Sequence, residues 1–224
     1  MGAAFFQKGG VLWSFLEKAS PKTFILFIMD HCMAITPAPD PTRPRCAWAQ
    51  ADAMMMAYHD HEWGQPVHDS RMLWEMLVLE SFQAGLSWRT VLRRREGLRA
   101  AFAGFDPDRV ARFDAADEER LMADPRIIRA RAKIRATIGN ARAYVAMRDG
   151  GEDFARFAWG MVPAAPVRNL SGRVLASSPL SHAMAVALRA RGFRFVGPVI
   201  AYAWMQAAGM VHDHEPGCFR HPAR

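Results

Sequence analysis

The chain is poor in cysteine. Three thiols, Cys32, Cys46 and Cys218, stand in 224 residues, too few and too scattered for a disulfide scaffold, and an odd number suits a reducing compartment. No apolar run reaches the roughly 20 residues that a bilayer-spanning helix needs; the stretch Phe24 to Met29 is broken at once by Asp30-His31. That stretch also lies later than a signal-peptide core should, without a charged start or a small-residue cleavage site to frame it. Strand-like alternation is nearly missing after Arg45, so a β-rich architecture is not expected. Charged residues make up 23% of the chain and hydrophobic ones 51%, which excludes disorder as a global description and suffices for one large or two small domains with a core. The expectation is a cytoplasmic, membrane-independent monomer.

Lysine is scarce as well. The chain carries 29 basic and 22 acidic residues, a formal +7. In residues 1–42, Lys8, Lys18 and Lys22 cancel Glu17, Asp30 and Asp40, so the whole excess belongs to the remainder, where Lys133 is the only lysine. Guanidinium forks match phosphate oxygens, which suits a nucleic-acid partner. A genomic bias toward arginine codons accounts for the composition equally well.

Residues 1–44 read as an N-terminal extension, flexible or arising from a misassigned start with Met33 as an alternative one. Its end, Pro37-Ala38-Pro39-Asp40-Pro41 up to Pro44, reads as an extended linker. Residues 45–224 read as one domain of seven or so short helices. Asp69-Ser70 precedes an apolar stripe of Met72, Leu73, Met76, Leu77 and Leu79, and Gly85 ends it. Ser87 caps the next helix; Asp106-Pro107, Asp114 and Asp124-Pro125 repeat the cap grammar. Ser178-Pro179 or Ser181 opens a helix that Gly192 stops, and Pro198 opens the last one. Residues 163–180 read as a loop.

Four constellations stand out. Cys46 and His59 near the domain's start, with His214 and Cys218 near its end, supply the two thiolates and two imidazoles of a closed tetrahedral zinc set. Such a set would staple both ends of a very long loop. There is no CxxC, and His61, His212 and His221 compete, so spacing alone favours two buried free cysteines with surface histidines. Trp48, Tyr58, Trp63, Trp74 and Trp88 fall within about forty residues. Trp74 belongs to a helix stripe and hence to the core, while the others suit a stacking pocket for a planar ligand. Glu80 sits in the apolar run Leu77 to Phe82, where pattern favours a solvated outer face over a buried acceptor. Residues 181–209 have the helix–Gly–turn–Gly–Pro–helix form of a helix-hairpin-helix module, in which Gly197 brings backbone amides to a phosphate; an ordinary helical hairpin is the bland alternative. The run Arg93-Arg94-Arg95 reads mainly as a solvated face.

These pieces occur in a recognisable order. Arg45-Cys46-Ala47-Trp48, Tyr58 through Gly64, Leu79 through Trp88, Ile138 through Tyr144, Arg191 through Gly197, and Asp213-His214 through Cys218 together resemble DNA-3-methyladenine glycosylase I, over about Arg45 to His221. The resemblance implies an all-α fold of helix-hairpin-helix glycosylase type, with one structural zinc on Cys46, His59, His214 and Cys218 joining the N- and C-terminal segments. It implies a base pocket of Trp48, Tyr58, Trp63 and Trp88 with Glu80 as the catalytic carboxylate, and double-stranded DNA containing alkylated adenine as partner. Leu86 is the candidate wedge for the gap in the duplex, and Gly192 and Gly197 the DNA-binding glycines. Ser81 and Phe82 depart from the Gly and Gln that the motif leads one to expect. Two other readings stay open: a non-enzymatic helix-hairpin-helix DNA-binding protein, and a zinc-dependent nucleobase hydrolase, which needs an H-x-E and a P-C-x-x-C that the chain lacks.

Overall fold

The computed structural model describes residues 40 and 42–221, apart from 164, 165, 170, 172 and 173. The readings made for the apolar stretch Phe24 to Met29, for Cys32 and Met33, and for the proline-rich linker as far as Pro39 lie outside the described residues.

Nine α-helices are present among the described residues: α1 (Ala53–His61), α2 (Ser70–Gln83), α3 (Trp88–Ala101), α4 (Pro107–Ala111), α5 (Ala115–Ala123), α6 (Arg131–Asp149), α7 (Phe154–Gly160), α8 (Pro179–Ala190) and α9 (Pro198–Ala207). Seven of them begin at a short polar side chain that accepts from a first-turn N–H, supplying the partner a helix start lacks: Asp52, Asp69, Ser87, Asp106, Asp114, Asp153 and Ser178. Ser178, not Ser181, is the cap of α8, and the two serines answer one another in a capping box.

One expected start fails. Asp124-Pro125 suggests a helix onset, yet α6 begins at Arg131 with Ala130 as an uncapped entry. The Asp124 carboxylate is taken by the backbone and guanidinium of Arg126, which turns the chain. Arg126 then lies against Gly97 of α3, where a Cβ would stand 2.5 Å from the Arg126 carbonyl oxygen. A tertiary contact holds the segment out of helical form.

The long central helix α2 packs on α3, α6, α7 and α9 and buries Leu73, Trp74, Leu77 and Phe82. Each such side chain contributes about 1.5–3 kcal/mol by leaving water. Trp204 of α9 is fully buried and donates from Nε1 to the Leu73 carbonyl at 2.9 Å, tying the last helix to α2. Within 163–180, read as loop, Val167–Arg168 (β1) pairs in parallel with Val211–His212 (β2), Val167 opposite Val211. Two residues are too few to show a period in sequence. The beginning and end of the domain then run side by side: Gly64 N–H donates to Ala207 O, Val67 N–H to Ala208 O and Phe219 N–H to Pro44 O. No described helix is long and apolar enough to cross a membrane.

Candidate active site and metal-ligand cluster

That juxtaposition brings together the four residues the spacing left undecided. Cys46 precedes a 3₁₀ turn (Ala47–Ala51), His59 lies on α1, and His214 and Cys218 follow β2. All four are buried, with their ligand atoms within 4.8 Å of one another. Cys46 Sγ is 3.5 Å from His214 Nδ1, Cys218 Sγ is 3.6 Å from the same nitrogen, and His59 Nε2 is 3.4 Å from Cys218 Sγ. Metal bonds of about 2.3 Å to sulfur and 2.0–2.1 Å to nitrogen at tetrahedral angles put S and N donors about 3.5 Å apart. The donor set therefore fits a small tetrahedral cation and could hold one. His61 is exposed and His212 faces the Arg220 carbonyl, so neither competes.

The supports are equally specific. Burial pushes the Cys46 thiol up to about 12, so a thiolate there calls for a cation. Backbone N–H groups of Glu215 and Arg220 point at the two sulfurs. Burial lowers the pKa of His59 and holds that of His214 at about 3, which keeps both imidazoles in the neutral, ligating form. Asp60 meets His59 Nδ1 at 3.0 Å, and Arg45 grips Asp60 through Nε and a terminal nitrogen at 2.8 and 2.6 Å. This fork orients the imidazole so that Nε2 faces the cluster. Gly64, at φ +77°, admits the His214 ring: a Cβ would lie 2.9 Å from its Nε2. Sequence reasoning passed over Arg45 and Asp60, although each adjoins a candidate ligand.

Beside the cluster lies a cavity of about 650 Å³, lined by Trp48, Tyr58, Trp63, Glu80 and Trp88 among others. The aromatic wall is continuous with the ligand rings. Trp48 packs on His59 at 5.4 Å and on Trp63 at 5.1 Å between centroids, and Trp63 meets His214 edge-on at 4.6 Å. Tyr58 and Trp88 lie 5.2 Å apart.

Glu80 overturns the expectation of a solvated face. It is 5% exposed on the inner side of α2, and burial alone pushes its pKa up to about 8. Its Oε2 and the Trp88 Nε1–H are both buried without a protein partner, an acceptor and a donor left for a ligand. Asp213, Glu215 and Gln206 also line the cavity and were missed. Asp213 accepts from Asn169 Nδ2, Tyr202 OH and Gln206 Nε2. Nothing in the local pattern marks these residues as pocket walls.

Leu86 is 40% exposed and borders a second cleft of about 560 Å³ with Gly197, Pro198 and Val199. Glu80, Gln83 and Ala203 line both cavities, so the two spaces adjoin. Gly192 takes φ +91° after α8, and Gly197 forms the entry to α9 with open space about its Cα. The departures have clear places. Ser81 is buried, its Oγ 2.9 Å from the Leu77 carbonyl and 3.1 Å from that of Phe195, and Phe82 fills the core against Phe102. Of the arginine run, Arg95 is committed to Glu62 and Glu75 and Arg94 to the Pro125 carbonyl.

A family model described as methyladenine glycosylase matches residues 48–221. The chain is 49% identical over 181 residues to DNA-3-methyladenine glycosylase 1 of Escherichia coli (strain K12), covering 80% of this chain and 97% of that protein. The chain belongs to the methyladenine glycosylase family. A second relative, DNA-3-methyladenine glycosylase of Haemophilus influenzae, is 43% identical over 78% of this chain and 96% of its own length. The crystal structure of a 3-methyladenine DNA glycosylase I superposes with a TM-score of 0.77 at 51% identity, covering 80% of this chain and 100% of that one. The span matched by the methyladenine glycosylase model holds the aromatic wall, Glu80, His59, His214 and Cys218, and starts two residues after Cys46.

Proposed function

We propose that this chain flips 3-methyladenine out of alkylated double-stranded DNA and excises it by hydrolysis, the first step of base excision repair. The observation that carries the reading is the buried Glu80 carboxyl, its Oε2 without a protein partner, on the wall of an aromatic cavity large enough for a purine, in a chain of this family. Methylation at N3 makes adenine cationic while it is still joined to the sugar. Its glycosidic bond is therefore weak, and the leaving group needs little acid help. What remains is to find, extrude and hold the base. The rings of Trp48, Trp63 and Trp88 favour a cation over their faces by about 1–2 kcal/mol each when desolvated. Glu80 accepts from the adenine edge and, as the carboxylate, favours the positive base over neutral adenine. On cleavage the bonding electrons go to the base, which leaves neutral, and the attraction holding it falls.

The outer parts of the reading follow. The hairpin of α8 and α9 serves as the helix-hairpin-helix element, with Gly192 and Gly197 letting the backbone approach a phosphate. Leu86 fills the gap left in the duplex. Zinc is the cation best suited to the Cys46, His59, His214 and Cys218 donors; when bound it neutralises the thiolates and cross-links the two ends of the domain. Four protein donors closing on one centre suit a structural ion, and Glu62, which adjoins His61, is exposed and paired with Arg95. Both points disfavour a zinc-dependent nucleobase hydrolase. A purely DNA-binding module leaves the cavity and Glu80 without a purpose. In this reading residues 1–44 are an N-terminal extension and residues 45–224 are the glycosylase domain.

Chromatography of the bases released from methylated DNA tests the proposal. The wild-type chain should release 3-methyladenine. Trp88→Ala should bind the base more weakly with little loss of non-specific duplex affinity, because phosphate contacts dominate the latter. A wild-type chain that releases no 3-methyladenine refutes the function.

A further inference from the structure

The only lysine after residue 42 holds the end of a helix. Lys133, in the first turn of α6, donates from Nζ to the Phe82 carbonyl at 2.8 Å and to the Ala84 carbonyl at 2.6 Å. Both acceptors belong to the end of α2, where the last carbonyls of a helix lack partners and its dipole favours a cation. Lys133 is half-buried, and burial lowers its pKa.

The Ala84 carbonyl is the one that matters. Gln83 to Leu86 form a tight turn closed by Leu86 N–H to Gln83 O at 2.6 Å. Ala84 has φ −47°, ψ 115° and Gly85 has φ +79°, the angles of a type II turn. Type I and type II turns differ by a half-rotation of the central peptide, here the one between Ala84 and Gly85. Its carbonyl, Ala84 O, is the atom Lys133 holds. The turn ends on Leu86, which stands 40% exposed beside the cleft that adjoins the base cavity.

We infer that Lys133 is a positioning residue for excision: its ammonium group locks the Ala84–Gly85 peptide in the one orientation that presents Leu86 to the duplex. The inference rests on the reading of Leu86 as the wedge. A turn fixed in advance pays no ordering cost when the base is extruded. A turn that populates the competent form only part of the time lowers the apparent flipping efficiency by that fraction.

The test uses the full chain with Lys133→Met, which keeps the stem and removes the donors, Leu86→Ala, and the double variant. Three quantities are read: kcat/KM on duplex DNA containing 3-methyladenine, affinity for free 3-methyladenine by calorimetry, and Tm. Lys133→Met should lose about tenfold in duplex excision, the effect of about one charge-assisted hydrogen bond, with free-base affinity within about twofold of wild type. In the Leu86→Ala background the same change should add less than about twofold, because the lock acts through the wedge. Gly85→Ala attacks the turn independently: it forces a Cβ into φ +79° with nothing within 4 Å to clash, and should give the same split even if Lys133→Met folds poorly. Lys133→Met and Gly85→Ala that excise like wild type overturn the inference. So does a parallel loss of free-base affinity, or a full multiplicative effect without Leu86. A wild type that releases 3-methyladenine while Leu86→Ala is unimpaired removes the wedge and this inference but leaves the function standing. A wild type that releases none takes both down.

Discussion

Replacing Glu80 by Gln keeps the size of the side chain and one acceptor oxygen, and removes only the charge. Burial raises the Glu80 pKa from 4.5 to about 8. That shift corresponds to about 5 kcal/mol of preference for the protonated form at about 1.4 kcal/mol per unit. Near pH 7 the carboxyl lies about one unit below its pKa, so presenting a carboxylate to a cationic base costs about 1.4 kcal/mol there and little above pH 8. The charge-assisted hydrogen bond it then makes contributes about 1.5–3 kcal/mol. Wild-type kcat/KM should therefore rise with pH through neutrality and level off above about 8, as the free enzyme loses the Glu80 proton. Glu80→Gln should be flat across that range, about 10- to 100-fold slower near pH 8.5 and less impaired near pH 6. Stability runs the other way. The native chain holds a proton that the unfolded chain releases between 4.5 and about 8, so wild-type stability falls as pH rises through that window. Glu80→Gln loses that slope and gains on wild type at the alkaline end. Base release by chromatography and urea unfolding, both as functions of pH, measure the two profiles. A Glu80→Gln chain with the wild-type pH–rate profile refutes the argument.

Three further outcomes are expected. Metal analysis of the purified chain should find one zinc per molecule; Cys46→Ala or Cys218→Ala should lose it and lower stability by about 4–5 kcal/mol, the scale of a cross-link closing a very long loop, and zinc-free protein with unchanged Tm would sink the assignment. A chain beginning at Pro41 should keep soluble expression and full excision, since residues 1–42 carry no net charge and none of the motifs; loss of either would show that the extension packs on the domain. Binding to undamaged duplex should weaken steeply with salt, each neutralised phosphate adding about −0.9 to the log–log slope, and a flat response would remove the electrostatic footing.

What could be read from the chain was the chemistry that is local. Asp69, Ser87, Asp106 and Asp114 announce helices because a cap satisfies N–H groups two or three residues away. The stripe from Met72 to Leu79 announces α2 because burial follows the helical period. The aromatic residues, Glu80, Leu86 and the four candidate ligands could be picked out as candidates because residue type and order survive in one dimension. Helix α1, which carries Tyr58 and His59, has the Asp52 cap but no apolar stripe to support it, since Ala53-Met54-Met55-Met56-Ala57 has no polar face to set a period. Only the tertiary structure decided which face of α2 turns inward, and so whether Glu80 is solvated or buried. Only it gathered Cys46, His59, His214 and Cys218 to within 4.8 Å, across a separation at which spacing carries no information. The same holds for Arg45 gripping Asp60, for Asp213 on the cavity wall, and for Arg126 against Gly97 delaying α6. Each depends on elements far apart in sequence packing against one another. Burial and proximity are properties of that packing, and no single segment contains them.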